Sequence, residues 1–162
     1  MTTSMTENKQ DEIALRDERR EGILELEKEM AEYPQLDLPV KHHFSKDLYG
    51  RELLIPAGSL VVGKIHKHQS LNILASGTIS LLTEEGTKEV SAPYVVVSKP
   101  GIKRVGYAHT DCVWITAHAT QETDLEKIED EVIAKDYGDV SSLTENELKQ
   151  IEDIKRESSC LG

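Results

Sequence analysis

The stretch GKIHKHQSLNILASG, residues 63–77, places two histidines two residues apart inside an apolar, strand-like run. In a β-strand, residues i and i+2 point to the same face, so Lys64, His66 and His68 are predicted to project together. The two imidazoles would then lie about 7 Å apart along the chain. Neutral imidazoles suit divalent transition metals, so His66 and His68 are candidate ligands for Fe, Mn, Ni or Zn. A working site would need at least one further protein ligand.

The chain around this stretch reads as a series of short strands over residues 40–120. β-Branched residues are dense there, and turn signals separate the apolar runs at Pro56–Gly58, Glu85–Gly86, Pro100–Gly101 and Thr110–Asp111. This pattern is typical of a small antiparallel β-sandwich or barrel. We therefore predict a mainly β domain over residues 40–120.

The N-terminal region has a different pattern. Residues 1–10 are polar and are predicted to form a disordered tail. Residues 11–39 are predicted to form a helix that ends at Pro34, followed by an extended linker. The helix carries one apolar stripe, made of Ile23, Leu26, Met30 and Tyr33.

The C-terminal region, residues 121–162, predicts two acidic helices. Thr123 with Glu126, and Thr144 with Glu147, have the spacing of capping boxes, which satisfy free N–H groups at a helix start. Apolar stripes follow at Leu125, Ile128 and Val132 and at Leu148, Ile151 and Ile154. These stripes must be covered by the β domain or by a partner chain, so the flanking helices are candidate assembly surfaces.

Composition and charge argue against several classes of function. The net charge is −11 over 162 residues, and both ends are acidic. Acidic ends repel phosphate backbones, which argues against nucleic-acid binding. No apolar run approaches the roughly 18 residues of a membrane span, and two cysteines cannot build a disulfide framework. The polar start shows no signal peptide, which favours a cytoplasmic location.

The central stretch resembles the first motif of the cupin family. That motif runs from a glycine through His-x-His to a glutamate four residues after the second histidine, and on to a second glycine. The matching positions here are Gly58 or Gly63, His66, His68, Asn72 and Gly77. Asn72 stands at the glutamate position, where an amide is an uncharged and poorer ligand.

The second cupin motif, a Pro-Gly turn followed by a histidine three residues after the glycine, resembles SKPGIKRVGYAH at residues 98–109. Pro100 and Gly101 are present, and Arg104 stands at the histidine position. The resemblance covers about residues 50–120 and implies a single antiparallel jelly-roll barrel. Cupins are commonly dimers, so it also implies a homo-oligomer. Two of the four ligands expected of a cupin metal centre are replaced.

A narrower resemblance joins the β region to the helix that follows it. The blocks GKIHKHQSLNILASG, APYVVVSKPGIKRVGYAHTDCVWITAHAT and TDLEKIEDEVIA are similar to small cupin-like proteins of tailed bacteriophages and prophages. This resemblance implies a viral origin, and hence a place in the host cytoplasm or the virion. It implies no particular activity.

Arg104 sets the predicted chemistry of the interior. An inward guanidinium binds carboxylate or phosphate groups, and with Lys64 and Asn72 it would make a polar pocket that favours a small anion. Alternatively, Arg104 pairs with an acid such as Glu52 and is structural. By alternation, Arg104 and Ala108 share one strand face.

Two more candidates lie on the same strand but on its opposite face. Tyr107 is a candidate hydrogen-bond donor to a ligand. His109 is a candidate third metal ligand that would need a β-bulge to turn inward.

Three functions remain open at this point. The first is a non-catalytic cupin-like accessory or virion-associated phage protein with a polar His/Arg pocket. The second is a metal-dependent cupin enzyme, of the isomerase, epimerase or dioxygenase type, that uses His66 and His68. The third is a sensor of a small anionic ligand.

Overall fold

The structure is a computed structural model that describes residues 3–140, together with residues 153 and 156. Most of the described chain after residue 40 is antiparallel β-structure, as predicted. Ten strands follow one another along the chain: β1 (Val40–Ser45), β2 (Leu48–Ile55), β3 (Leu60–Val62), β4 (Ile65–His66), β5 (Ser70–Ser76), β6 (Thr78–Thr83), β7 (Gly86–Ser91), β8 (Tyr94–Ser98), β9 (Val105–Ala108) and β10 (Cys112–Ala119). A helix α1 (Thr3–Met30) precedes them, and α2 (Leu125–Val132), β11 (Ile133–Ala134) and a 3₁₀ turn (Tyr137–Val140) follow.

The strands form two main sheets. One sheet has five strands in the order β1-β2-β10-β5-β8, and the other has four in the order β3-β9-β6-β7. A small two-stranded sheet pairs β11 with β4. Every pairing is antiparallel. Strands that are distant in sequence therefore lie side by side, as in a double-sheet jelly roll.

The core lies between the two main sheets. Strand alternation sends every second side chain inward, and the buried cluster takes members from both sheets: Ile55, Leu74 and Cys112 from one, and Ile79, Leu81, Val90 and Ala108 from the other. Gly77 joins β5 to β6 with a φ of 91°. A side chain at this position would overlap the carbonyl oxygen of Asp111 and the Cys112 sulfur, so the turn requires glycine.

Helix α1 lies on the four-stranded sheet through its C-terminal half. Ile23 is only 1% exposed, and Arg20 and Glu27 form ion pairs with Glu84 and Lys103. The helix begins at Thr3, so the predicted disordered tail is wrong over residues 3–10. It ends at Met30 rather than Pro34, because the Gln35 side chain donates a hydrogen bond to the Met30 carbonyl oxygen at 2.9 Å.

Tyr33, a predicted member of the apolar stripe of α1, lies beyond the helix and is 69% exposed. The part of the stripe that is buried, at Ile23, faces the protein's own sheet. Neither of the two described helices is long and apolar enough to cross a membrane.

Helix α2 is short, and its cap differs from the prediction. The N-cap is Asp124 rather than Thr123, because the Asp124 side chain accepts hydrogen bonds from the N–H groups of Glu126 and Lys127. Ile128 and Val132 are buried against Tyr49, so these two members of the predicted stripe are covered by the β domain, whereas Leu125 is 42% exposed. The second predicted helix, with its capping box at Thr144 and Glu147, lies outside the described residues.

The outer face of the five-stranded sheet is apolar and exposed. Val95 and Val97 on β8 are 58% and 56% exposed, and Leu71 and Leu54 on β5 and β2 are also exposed. Register places Val97 beside Leu71, so the patch is continuous across these two strands. Monomeric proteins rarely expose large continuous apolar patches.

Candidate functional site

The inner face of the five-stranded sheet is divided into an apolar half and a polar half. Register aligns Leu53, Trp114, Leu74 and Tyr94 in one row across the strands, next to the core. The next inward row contains Arg51, Thr116 and Asn72. Beyond it, Tyr49 lies opposite His118. The candidate site is this polar half, together with His66 and Arg104.

Asn72 forms a closed hydrogen-bond network in the polar half. Its side chain is 1% exposed, and its Nδ2 donates to Ser98 Oγ at 2.6 Å and to Ser70 Oγ at 3.2 Å. Its Oδ1 accepts from Thr116 Oγ1 at 3.0 Å and from Trp114 Nε1 at 3.3 Å. Both polar atoms of the amide are hydrogen-bonded to residues of neighbouring strands. Asn72 is therefore a structural group that joins β5, β8 and β10.

His66 lies beside this network and is held neutral. Its Nδ1 is 3.4 Å from Ser70 Oγ, and its ring meets the His118 ring edge-on, with centroids 4.9 Å apart. Burial, together with the nearby His118, Arg104 and Arg51 side chains, lowers the pKa of His66 to about 4. At neutral pH His66 is therefore an uncharged imidazole.

His118 extends the site toward the other end of β10. Burial lowers its pKa, and the charges of Arg51 and His68 contribute in the same direction. Its ring is stacked on Tyr49, with centroids 6.3 Å apart, and the Tyr49 hydroxyl lies 2.7 Å from His42 Nδ1.

Arg104 lies just before β9 and faces the interior. Its Cζ is 6.0 Å from the centre of the Trp114 ring, and the side chain is partly buried. Within the described residues, the guanidinium forms no hydrogen bond and no ion pair. Burial lowers its pKa, while Tyr94 and Glu85 act in the opposite direction. Since no fully buried side-chain nitrogen among the described residues lacks a hydrogen-bond partner, the unbonded N–H groups of Arg104 reach solvent.

The suggested pairing of Arg104 with Glu52 is wrong. Glu52 lies on the outward face of β2, where its carboxylate contacts His43 Nε2 at 2.7 Å and Lys41 Nζ at 3.8 Å. Strand alternation explains the difference, because Glu52 faces away from the row that contains Arg51.

The residues do not fit the metal centre that the fold family implies. The strand expected to align the histidines is only Ile65–His66, so His68 lies in a bend after it and is exposed. Asn72 has no free lone pair directed at the histidines, and Arg104 brings a positive charge. Within the described part of the chain, no three His, Cys, Asp or Glu side chains are grouped as a metal site requires.

Three other predicted residues lie elsewhere. Lys64 is exposed and forms an ion pair with Glu129 of α2, because β4 starts only at Ile65. Tyr107 is exposed on the outer face of β9, with its ring centroid 5.2 Å from that of His109. The His109 ring is bonded to Ser80 Oγ at 2.7 Å and is not near His66, since no bulge turns it inward.

Sequence reasoning missed His118 and Arg51. The alternation that places Trp114 inward on β10 also places Thr116 and His118 inward, so the signal was available in CVWITAHA. Arg51 and Leu53 in RELLI are two residues apart and share one strand face, but the charge of Arg51 on this otherwise apolar face was not interpreted as part of a site.

Two antiparallel sheets packed face to face, with jelly-roll connections, define the structural class of this protein. No protein-family model matches the sequence, and no curated protein is similar to it. Among solved structures it is similar to ectoine synthase from P. lautus, at 12% identity and a TM-score of 0.50, covering 66% of this chain and 84% of that one. At this identity the likeness shows the fold alone.

Two further solved structures are similar with lower scores. One is an RmlC-like cupin family protein with a double-stranded β-helix fold from Methanocaldococcus jannaschii, at 12% identity and a TM-score of 0.44, covering 56% of this chain and 86% of that one. The other is an oxalate decarboxylase from Lactobacillus farciminis, at 14% identity and a TM-score of 0.49, covering 64% of this chain and 33% of that one.

Proposed function

We propose that this protein is a non-catalytic cupin-fold protein whose polar half binds a small anion. The observation that carries the proposal is Arg104, a partly buried guanidinium with no hydrogen bond or ion pair within the described residues. Apart from the contact with the Trp114 ring, its N–H groups reach solvent, so an anion can bind them without breaking a hydrogen bond within the protein. A guanidinium is well matched to carboxylate or phosphate oxygens.

The electrostatic surroundings favour an anion over a metal cation. Arg51 and Arg104 both act on His66, and Lys88 lies over the Tyr94 ring at 5.0 Å. Glu85 is the carboxylate that acts on Arg104, and it forms an ion pair with Lys99 at 3.3 Å. The positive charges near His66 raise the cost of placing a divalent ion there.

The test is ligand-dependent thermal stability of the purified protein with inorganic phosphate, sulfate and short carboxylates. Binding to the folded state stabilises it by about 2.7 kcal/mol when ligand is a hundredfold above Kd. We expect Arg104→Gln to abolish the rise in melting temperature. Arg16→Gln is the matched control, because it removes an exposed guanidinium on α1 that pairs only with Asp17. An unchanged response in Arg104→Gln would refute the proposal.

The metal-enzyme alternative is tested separately by elemental analysis of protein purified without a histidine tag. We expect no stoichiometric Fe, Mn, Ni or Zn that depends on His66 and His68. One equivalent of metal that is lost in the His66→Ala/His68→Ala double variant would favour the enzyme.

The exposed apolar outer face of the five-stranded sheet favours association of the protein into a homo-oligomer. We propose that two copies associate through the patch at Val95, Val97 and Leu71, rather than through the helix stripes. Sedimentation velocity should show that Val97→Lys shifts the protein toward monomer. The control Leu24→Lys places the same charge on an exposed position of α1 and should leave the mass unchanged. The accessory role in a phage or virion, and the host-cytoplasm location, stay predictions.

A further inference from the structure

Arg51 is a second arginine on the inner side of the five-stranded sheet, and its charge acts on His66, as that of Arg104 does. On β2 it has the parity of Tyr49 and Ile55, which are buried, so its side chain starts on the inner face of the sheet. Its register partner is Thr116, which is buried and bonded to Asn72. The Arg51 side chain is exposed at the open edge of the site.

The two guanidinium groups approach neighbouring positions of β10 from different sheets. Arg104 lies over Trp114, and Arg51 lies beside Thr116, which is the next inward residue on that strand. Residues i and i+2 of a strand are about 7 Å apart. Both charges also act on His66, so both arginines lie near this ring.

Neither guanidinium is neutralised by the protein. Within the described residues, Arg51, like Arg104, forms no hydrogen bond and no ion pair through its side chain. The imidazoles of His66 and His118 lie in the same polar half and can donate or accept a hydrogen bond as neutral rings. The site therefore offers two separated positive groups with polar, uncharged side chains near them.

We propose that the ligand is a small dicarboxylate, with one carboxylate at Arg104 and the other at Arg51. This inference rests on the proposed function, because it assigns a ligand class to the same site. Each planar guanidinium can hold one carboxylate through two parallel hydrogen bonds. A single inorganic anion can satisfy one guanidinium in this way, whereas two carboxylates on a short aliphatic chain can satisfy both.

Isothermal titration calorimetry with succinate and butyrate tests the inference, because both acids have four carbons and differ by one carboxylate. We expect succinate to bind about twofold to fivefold more tightly, since its second carboxylate would pair with an exposed guanidinium. Arg51→Gln should remove this difference. Arg104→Gln should abolish the binding of both acids, and Arg16→Gln should bind as the unaltered protein does.

The outcomes separate the inference from the proposed function. Equal affinity for succinate and butyrate, or tighter binding of inorganic phosphate than of succinate, would overturn the dicarboxylate and leave anion binding intact. Absence of heat with every anion would overturn both. The melting temperature of Arg51→Gln without ligand shows whether the variant is folded, so a loss of affinity can be assigned to the missing guanidinium.

Discussion

The two halves of the inner sheet face use the same strands and the same alternation, yet they bury their side chains in different ways. The apolar half packs Leu74, Ile55 and Cys112 against Ile79 of the opposite sheet, and Leu74 is 0% exposed. The polar half buries Asn72 almost as completely, and both polar atoms of its amide group form hydrogen bonds. Close packing and complete hydrogen bonding are therefore two equivalent routes to a buried interior.

The comparison also separates the polar half into a closed part and an open part. In the closed part, Asn72 satisfies Ser98, Thr116 and Trp114 and has no capacity left for a ligand. In the open part, Arg51 and Arg104 have unused donors. Asn72, at the glutamate position of the cupin motif that this sequence resembles, is thus a structural group, and Arg104, at the position of the motif's histidine, is the group that we propose to bind an anion.

Leu74→Ala should have the largest effect, because it empties the apolar half at its best-packed position. The side chain is 0% exposed, so we expect the free energy of unfolding to fall by about 2–5 kcal/mol. Urea denaturation measures the change. Leu24→Ala, at an exposed position of α1 outside the proposed association patch, is the control and should cost much less. Equal losses in the two variants would mean that the apolar half is not the core.

Acidification should have the next largest effect on the free energy of unfolding, and it acts on the polar half. The pKa of His66 is about 4 in the folded protein and near its ordinary value of 6.5 when unfolded. The unfolded state therefore takes up the proton first as the pH falls, so stability is lost between about pH 6.5 and pH 4. The loss amounts to roughly 3 kcal/mol, and His118, whose pKa is also lowered, adds to it.

The contribution of His66 is isolated by comparing urea denaturation curves of the unaltered protein and His66→Asn across this pH range. The variant should lose less stability on acidification. His43→Gln, on the outer face, keeps both buried histidines and should retain the full slope. Parallel pH profiles for the protein and His66→Asn would show that His66 is not buried as a neutral ring.

Asn72→Leu tests whether the closed part is held by hydrogen bonds. A leucine has a similar volume but leaves Ser98, Thr116 and the indole N–H of Trp114 without their partner. We expect a loss of about 1–3 kcal/mol in the free energy of unfolding. Asn8→Leu, on the exposed start of α1, is the control. If the two variants were equally stable, water or repacking would have replaced the amide.

The fold could be predicted from local patterns because alternation and turn residues act over few residues. RELLI, LNILAS and CVWITAHA became β2, β5 and β10, and the positive φ of Gly77 and Gly101 lies at turns that the glycines marked. The predicted tail was wrong over residues 3–10 because these mostly polar residues continue helix α1. Helix ends depend on single contacts, such as that of Gln35, which no periodicity reveals.

The site was predicted less well, because its geometry depends on register. Asn72 lies inward as expected because it follows the alternation of β5, and Arg104, just before β9, faces Trp114 of the five-stranded sheet. Lys64 and His68 do not lie inward, because β4 is only two residues long and alternation does not extend to them. His118 reaches His66 only through the packing of β10 against the β4 region, and a contact between residues so distant in sequence has no local signal.

Replacement of Arg104 has the smallest expected effect on stability. It also best distinguishes a structural arginine from one that binds a ligand. A structural Arg104 would be paired, and its loss would cost several kcal/mol because a partner charge would be left behind. An unpaired Arg104 carries only its desolvation cost, so Arg104→Met should leave the free energy of unfolding unchanged or raise it by about 1 kcal/mol or less. Urea denaturation without added anions measures this change, with Arg20→Met, which breaks the ion pair to Glu84, as the destabilised control. A loss in Arg104→Met as large as that in Arg20→Met would mean that the protein itself, rather than a ligand, completes this guanidinium.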